Sequence, residues 1–256
     1  MIAVAIIGGS GRMGQVMATG LGDLDDVSVA VLVDPYQPAE RHGAQWTRTI
    51  DEVDPDLVTA VVDFSTPEGV TASARWCAAH RKVLIVGTTG LSAEQRSELE
   101  LAGTSTGVLL CANYSIGAVL AERFAEQAAP YFDTVELIEL HHNRKVDAPS
   151  GTSLQAVNRI AAARERSGRE TIANPTTRET LAGTRGGEGL GGVRIHSVRL
   201  PGLTAHQEVL FGAPGEGLTI RHDSYDRVSF VHGVALALRH VTVESGFVEG
   251  IDGFLD

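Results

Sequence analysis

Cysteine and aromatic residues are scarce in this 256-residue chain. The first shortage limits the kinds of cross-link and metal site, and the second narrows the fold class. Its two cysteines, Cys77 and Cys111, lie far apart, so we expect neither a disulfide framework nor a zinc cluster. The histidines also lack carboxylate or thiolate neighbours at ligand spacing, and we predict no metal. Aromatic residues make up 5% of the chain against 29 glycines, which favours an α/β fold with many tight turns over an aromatic-rich β-sandwich.

Basic residues and long apolar runs are also in short supply. Lys and Arg total 21 against 32 Asp and Glu, and the formal net charge of -11 repels phosphate backbones and anionic membrane surfaces on average. We therefore expect no nucleic-acid partner. The apolar start, Met1 to Ile7, has no basic segment before it, and no apolar run approaches the roughly 18 residues that span a bilayer. These absences predict a soluble, cytoplasmic protein.

Short apolar runs punctuate the first 112 residues, and each is continuous rather than alternating, as in strands buried on both faces. The predicted strands are Ile2 to Ile7, Val29 to Val33, Leu57 to Val62, Val83 to Val86 and Val108 to Cys111. Helices are predicted between them, from Pro67 to Arg81 and from the capping-box pattern at Ser92 to Gly103. Alternating strands and helices indicate a parallel sheet.

After Asn113 the rhythm changes, which predicts a second domain over 114–223 and a first domain formed by 1–113 and 224–256. The predicted elements are a helix from Ser115 to Ala129, a strand from Thr134 to Leu140, a helix after Pro149, strands Val193 to Arg199, Ala205 to Phe211 and Leu218 to His222, and a helix from Ser224 to His240 with Val228, Val231, Ala235 and Leu238 on its packed face. The fold class is thus α/β, with a second α+β domain that has a mixed or antiparallel sheet. Six glycines in 183–192 predict a mobile loop without helix or strand.

A glycine pattern, Gly9-x-Gly11-x-x-Gly14, follows the first strand and opens a helix. In that context it predicts a Rossmann-type dinucleotide site: Gly9 permits the tight turn, Gly11 lets the backbone approach a pyrophosphate, and Gly14 allows close packing of helix on strand. The alternative is a turn that merely connects the two elements. Asp34, twenty residues after Gly14, favours the dinucleotide because it can accept hydrogen bonds from an adenosine ribose.

The cofactor is predicted to be NADH or NADPH. The Asp34 carboxylate would repel a 2′-phosphate, whereas Arg12 in the same loop can partly neutralise one, so NAD is favoured and NADP stays open. Two further turns follow predicted strands, Asp63 to Pro67 and Gly87 to Gly90, and can supply small or hydroxylic groups to the nicotinamide end. Either turn alone is more often an ordinary βα connection, and only the preceding glycine pattern favours a role at the cofactor.

A cluster of histidine and basic residues lies in Glu139-Leu-His-His-Asn-Arg-Lys-Val-Asp-Ala-Pro-Ser-Gly-Thr152. His141 and Lys145 share a face if the chain turns helical after the strand, and also if it stays extended. Histidine suits proton exchange near neutral pH, and the N–H groups of Gly151 and Thr152 can receive a carboxylate at a helix start. The cluster predicts a site for an anionic substrate. The alternative is a partly buried strand end followed by a solvated basic run.

This segment resembles the signature of the dihydrodipicolinate reductase family, and further pieces match in order: Gly8 to Gly14, Asp34, Asp63 to Glu68, Gly87 to Gly90, Ala112 to Gly117 and Ile195 to Arg199. The resemblance implies reduction of 4-hydroxy-tetrahydrodipicolinate to tetrahydrodipicolinate, in the diaminopimelate route to lysine, by a reduced nicotinamide. It implies that His141 is a proton donor and acceptor and Lys145 a proton donor. His142, Gly151 and Thr152 are implied to contact the substrate carboxylates.

The same resemblance implies a set of cofactor contacts and an assembly. The cofactor residues are Gly8, Gly9, Ser10, Gly11, Arg12, Met13, Asp34, Gly87, Thr88, Thr89, Cys111, Ala112, Asn113 and Tyr114. Family members are homotetramers joined through the sheets of their second domains. The chain departs from some relatives at Pro35, where they carry an arginine suited to a 2′-phosphate, and at Leu200 to His206. Two rivals stay open: another two-domain dehydrogenase, and a nicotinamide-binding redox sensor without turnover.

Overall fold

The structure is a computed structural model that describes residues 1–255 in two compact units. The first unit combines residues 1–116 with the segment that starts at Arg227, and the second spans Gly117–Asp226. The division expected from the change of pattern lies three residues earlier at each of the two junctions. Each unit has its own sheet.

The strands and helices are numbered in chain order. The strands are β1 (Ile2–Ile7), β2 (Val27–Val33), β3 (Gln45–Thr47), β4 (Ala60–Asp63), β5 (Val83–Val86), β6 (Val108–Leu110), β7 (Thr134–His141), β8 (Gly187–Glu188), β9 (Arg194–Arg199), β10 (Ala205–Ala213), β11 (Glu216–Ser224) and β12 (Phe247–Glu249). The helices are α1 (Arg12–Gly22), α2 (Pro67–His80), α3 (Ala93–Ala102), α4 (Ile116–Ala128), α5 (Gly151–Arg166) and α6 (Val231–His240).

The first unit contains a seven-stranded parallel sheet in the order β12-β6-β5-β4-β1-β2-β3. Its central strands are almost entirely buried, which explains their continuous apolar sequences. Thr66 caps α2 ahead of Pro67, and Ser92 and Gln95 form the expected capping box of α3. The prediction of a Rossmann-type α/β domain is confirmed.

Several strand limits in this unit differ from the prediction. Leu57 belongs to a 3₁₀ turn, Pro55–Leu57, because the Asp54 side chain caps that turn by accepting a hydrogen bond from the Asp56 N–H. The strand therefore begins at Ala60 rather than Leu57. The short edge strands β3 and β12 were not predicted, since three residues carry too little periodicity to stand out.

The second unit has a five-stranded mixed sheet in the order β11-β10-β7-β9-β8, as predicted for this domain. β10 pairs antiparallel with β7 and β11, and β9 pairs parallel with β7. One face packs on α4 and α5, and the shared core includes Leu137, Val157, Ile160, Val209 and Phe211. Alternate residues of β7 consequently face this core or the opposite side of the sheet.

The glycine-rich segment 183–192 contains secondary structure, so the prediction of a loop without strands is wrong. Gly187–Glu188 forms β8 against β9, and Leu190–Gly192 forms a 3₁₀ turn. The glycines here permit close packing: a Cβ added at Gly192 would lie 2.2 Å from the Ile172 carbonyl oxygen. The mobility of the segment 183–192 stays a prediction.

The final predicted helix, Ser224 to His240, is shorter in the structure. Ser224 ends β11, Arg227–Phe230 forms a 3₁₀ turn, and the α-helix starts at Val231. Val228 is 51% exposed and does not belong to the packed face assigned to it, because the 3₁₀ turn shifts its direction.

Candidate active site

The glycine turn after β1 is shaped by steric contacts with its own backbone. The sequence pattern assigns the tight turn to Gly9, but the residue with a left-handed backbone is Gly8, whose φ is +80°. A Cβ at Gly14 would lie 2.0 Å from the Gly8 carbonyl oxygen, and one at Gly9 would lie 2.9 Å from the Leu32 Cβ. Each of these positions therefore excludes a side chain for a different reason.

The N-terminus of α1 is open for an anion. Its N-cap residue is Gly11, which has no side chain to cap the first N–H groups of the helix, and no acidic residue lies in the first turn. Arg12 is exposed at the first helical position. This arrangement of free N–H groups beside a glycine cradle fits a pyrophosphate.

Asp34 follows β2 and connects to the glycine turn directly. One carboxylate oxygen accepts the Ser10 N–H at 3.0 Å, and the other accepts the Tyr36 N–H at the same distance. Its backbone carbonyl accepts a hydrogen bond from the Trp46 ring. Only 8% exposed, Asp34 fixes the turn and leaves its remaining lone pairs for a ribose hydroxyl.

A second carboxylate, Asp63, connects the turns after β4 and β5 through buried hydrogen bonds. It is fully buried and accepts hydrogen bonds from the hydroxyls of Ser65, Ser73 and Thr88 at 2.7, 2.6 and 2.9 Å. The Thr88 hydroxyl is therefore directed inward, whereas the neighbouring Thr89 is exposed. Gly87 gives room to the ring of Phe64, which would lie 2.0 Å from a Cβ there.

The segment Cys111 to Tyr114 ends the run of predicted cofactor residues. Tyr114 is 1% exposed and its hydroxyl donates to the Val86 carbonyl at 2.8 Å, and burial raises the pKa of this phenol well above its usual value. The Tyr114 ring is thus part of the core. Ala112 is exposed and Asn113 is half-buried, so these two present the accessible surface of the segment.

In the second unit, Glu139 and His141 lie on the same face of β7, with Arg199 at the paired end of β9. The Glu139 carboxylate is fully buried and makes a very short contact with His141 Nδ1 and a 2.7 Å hydrogen bond with Arg199 Nη2. Burial alone would raise the pKa of Glu139, but hydrogen bonds from His141, Arg199 and Ser197 outweigh it and hold that pKa at about 2. Glu139 is ionised at neutral pH.

The chain after His141 makes a single turn, closed by a hydrogen bond from the Lys145 N–H to the His142 carbonyl. It is neither a helix nor an extended strand, so both geometries considered for the pair His141 and Lys145 are wrong. Lys145 Nζ lies 2.8 Å from an Asp147 carboxylate oxygen, and this hydrogen bond lowers the pKa of Asp147. Lys145 is 22% exposed, which leaves it accessible to a second anion.

α5 begins at Gly151, where the chain returns from that turn. Ser150 is its N-cap and accepts the Ser153 N–H at 3.2 Å, so the cap does not use the N–H groups of Gly151 and Thr152. A Cβ at Gly151 would meet nothing within 4 Å. The helix start therefore offers two N–H donors that the cap leaves unused, at the exposed Gly151 and the half-buried Thr152, and such donors suit a carboxylate.

Sequence reasoning assigned no role to three residues of this region: Glu139, Asp147 and Arg199. The spacing of Glu139 and His141 was a usable signal, because residues two apart on a strand share a face. Arg199 carried no such signal, since its position depends on the pairing of β9 with β7. Among residues 1–255, no group of three His, Cys, Asp or Glu side chains is arranged to hold a metal ion, and no helix is long and apolar enough to cross a membrane.

The chain is similar to known proteins over nearly its whole length. Residues 2–114 match the family described as dihydrodipicolinate reductase, N-terminus, and residues 117–255 match its C-terminus. The chain is 45% identical to the 4-hydroxy-tetrahydrodipicolinate reductase of Nocardia farcinica, covering 100% of this chain and 99% of that protein. It is 43% identical to the reductase of the same name from Cutibacterium acnes, with the same coverage.

The solved structures include a dipicolinate-bound dihydrodipicolinate reductase from Paenisporosarcina sp. TG-14, with 34% identity, a TM-score of 0.88 and full coverage of both chains. A myo-inositol dehydrogenase from Corynebacterium glutamicum, 14% identical with a TM-score of 0.59 over 96% of this chain and 90% of that one, shares the fold alone. These relatives give no support to the redox-sensor alternative. The chain belongs to the dihydrodipicolinate reductase family.

Proposed function

We propose that the protein reduces 4-hydroxy-tetrahydrodipicolinate with NADH or NADPH, giving tetrahydrodipicolinate, the oxidised nicotinamide and water, in diaminopimelate and lysine biosynthesis. One proton is consumed with each hydride. The observation that carries the proposal is that Arg199 binds both Glu139 and the backbone of Asp147, while Ser153 of α5 binds Gln207 of β10. These contacts bring the segments of His141, Lys145 and the Gly151–Thr152 helix start to one end of the second sheet. Relatives matched over their full length bear the name of this reductase.

The substrate's two carboxylates have two kinds of partner in this proposal. The N–H groups of Gly151 and Thr152, at the positive end of α5, bind one carboxylate. Lys145 and His142 bind the other, and Lys145 has a mobile ammonium group that can leave Asp147 for a substrate oxygen. The dipicolinate bound to the Paenisporosarcina relative is a ring with two carboxylates, in keeping with such a site.

Proton transfer falls to His141 and Lys145. His141 is 15% exposed, and the contact between its Nδ1 and Glu139 leaves Nε2 as the ring nitrogen available to a ligand. Lys145 offers a proton and a fixed positive charge beside the developing charge of the ring. The two side chains thus divide acid–base work and charge stabilisation.

The cofactor site fits a dinucleotide on three observations. These are the turn in which Gly8, Gly9 and Gly14 have no room for a side chain, the uncapped start of α1, and the nearly buried Asp34 carboxylate after β2. The remaining residues assigned to the cofactor are Ser10, Arg12, Met13, Gly87, Thr88, Thr89, Cys111, Ala112, Asn113 and Tyr114, with Thr88 and Tyr114 contributing only through their backbone. When bound, the nicotinamide supplies the hydride. Asp34 favours NADH.

We also propose a cytoplasmic homotetramer without nucleic-acid or membrane partners. Support comes from the face of the second sheet that α4 and α5 leave uncovered within this unit, where Ile138, Leu140, Val198 and Leu210 are only partly buried. Light scattering after gel filtration should give a mass near four times 27.0 kDa. A 27.0 kDa species at micromolar concentration would contradict the assembly.

The test of the function is oxidation of NADH or NADPH that depends on freshly generated dihydrodipicolinate synthase product. We expect turnover on the order of 1 to 10³ s⁻¹, as for ordinary enzymes. Side-by-side assays with the two cofactors measure the preference. Absence of any substrate-dependent oxidation with either cofactor would overturn the proposal.

A further inference from the structure

The buried carboxylate of Glu139 contacts the ring of His141, which is itself 15% exposed. Glu139 is fully buried in a strand that carries a proposed acid–base histidine two residues later. Its two oxygens have different partners, His141 Nδ1 for one and Arg199 Nη2 for the other. A buried charge of this kind costs several kcal/mol unless it is fully paired. Two such pairings are present here.

We propose that Glu139 is a positioning residue that fixes the tautomer and orientation of His141 for the reaction, with Arg199 holding Glu139 in place. This role rests on the proposed function, because it gives His141 a chemical task. Glu139 touches neither substrate nor cofactor in the proposal and acts through the imidazole ring.

The tautomer follows from the hydrogen-bonding capacity of each group. An ionised carboxylate only accepts hydrogen bonds, so the proton of a neutral His141 resides on Nδ1, between the ring and Glu139. Nε2 then carries the lone pair and can accept a proton or a hydrogen bond from a ligand. The negative charge of Glu139 also stabilises the imidazolium that forms when Nε2 takes a proton.

Arg199 connects this pair to the segment that carries Lys145. Besides Glu139 Oε1, its Nη2 donates to the Asp147 carbonyl at 2.6 Å, and its Nη1 donates to the Val198 carbonyl at 2.8 Å. One guanidinium therefore holds both the carboxylate behind His141 and the backbone beside Lys145. The planar, always charged group suits this task better than an ammonium.

The same sheet provides a matched control on its other face. Glu136, also on β7, pairs with Arg185 and with His196 Nε2, the latter at 2.8 Å. Residues 136 and 139 are three apart on the strand and so face opposite sides of the sheet. The two clusters combine the same three residue types, and only one of them includes a histidine of the proposed site.

The Glu139→Gln variant reverses the proposed tautomer with little change of shape. Arg199 cannot accept a hydrogen bond, so the amide oxygen of Gln faces Arg199 and the amide NH₂ faces His141 Nδ1. Nδ1 must then accept, and the proton of neutral His141 moves to Nε2. We expect kcat to fall on the order of 10²-fold or more, with KM within about 3-fold. Glu136→Gln should keep kcat within about 2-fold.

The decisive readout is the ¹⁵N spectrum of the histidine rings in selectively labelled full-length protein, with His141 assigned by loss of its signals in His141→Asn. We expect Nδ1–H for neutral His141 in the parent and in Glu136→Gln, and Nε2–H in Glu139→Gln. A neutral Nε2–H tautomer in the parent would overturn the proposal even if Glu139→Gln did not fold. A reversed tautomer with unchanged kcat, or a lowered kcat with an unchanged tautomer, would overturn it equally. Failure of the parent to reduce the substrate contradicts the proposed function instead, since the ring spectra do not depend on turnover.

Discussion

The glycine turn of the first unit and the 139–152 segment of the second are built in opposite ways, one from backbone without side chains and the other from interacting side chains. The turn depends on missing side chains: backbone atoms of Gly8 occupy the space that a Cβ of Gly14 would need, and backbone N–H groups are the proposed partners of the cofactor's pyrophosphate. The 139–152 segment works through side chains that hold one another, with Glu139 behind His141 and Asp147 beside Lys145.

The difference shows how each region depends on the rest of the chain. The glycine turn is specified by a few adjacent residues, and Asp34, directly after the next strand, stabilises it through one hydrogen bond. The second region depends on Arg199, which is 58 residues beyond His141 along the chain and reaches it only through the pairing of β7 with β9. Mutations should therefore act by steric exclusion in one region and by lost charge pairing in the other.

The largest expected effect is that of Lys145→Ala. In the proposed mechanism the ammonium is a proton source and a charge that stabilises the transition state, so kcat should fall about 10²- to 10⁴-fold without it. The dissociation constant for NADH should stay within about 2-fold, because the cofactor cradle lies in residues of the other unit. Steady-state kinetics and calorimetric titration measure the two quantities. Lys82→Ala changes the other lysine of the sequence and serves as control; equal rates for the two variants would remove Lys145 from the chemistry.

Gly14→Ala tests steric exclusion in the first unit. The added Cβ would lie 2.0 Å from the Gly8 carbonyl oxygen, a backbone atom that can move only by distorting the turn. We expect a loss of about 3 kcal/mol or more in the free energy of unfolding, and NADH binding too weak to measure at micromolar protein. The control is Gly22→Ala at the end of the same helix, where a Cβ meets nothing within 4 Å. Similar stabilities for the two variants would contradict a steric role.

Glu139 should make the second unit sensitive to acid. Its pKa is about 2 in the folded protein against an ordinary value of 4.5, so its contribution is fully present above about pH 4.5 and is lost as the pH falls toward 2. The shift corresponds to about 3 kcal/mol. Urea unfolding from pH 7 to pH 3 should show the stability gap between the parent and Glu139→Gln narrowing. Glu98→Gln removes the charge from the exposed pair with Arg75 and should leave the free energy of unfolding nearly unchanged throughout. A pH-independent gap for Glu139→Gln would contradict the account.

Asp34→Asn has the smallest expected effect and concerns cofactor choice. The amide oxygen can keep one backbone hydrogen bond, from Ser10 or Tyr36, while the charge that repels a 2′-phosphate disappears. We expect the ratio of kcat/KM for NADPH to that for NADH to rise about tenfold, or about 1.4 kcal/mol. An unchanged ratio would remove Asp34 from the adenosine end.

Much of the fold could be predicted from the sequence because the signals for its strands and helices are local. Continuous apolar runs fix the buried parallel strands, and the capping residues Thr66 and Ser92 mark helix starts. The misses have physical causes. The three-residue strands β3 and β12 are too short to show a period, and the glycines of 183–192 reflect close packing on Ile172 and Ile195 rather than freedom.

The candidate site could be predicted from the sequence about as well as the fold. His141, His142, Lys145, Gly151 and Thr152 lie within twelve residues, so their grouping needed no knowledge of the fold. The single turn at 142–145 and the inward direction of the Thr88 hydroxyl depend on hydrogen bonds to other parts of the chain. No local pattern specifies such contacts.

A crystal structure of the full chain with pyridine-2,6-dicarboxylate tests the account most directly. One carboxylate should lie about 3 Å from the N–H groups of Gly151 and Thr152, and the other should lie about 3 Å from Lys145 Nζ. A ligand bound elsewhere, with those donors facing solvent, would contradict the assignment of the second unit as the substrate site.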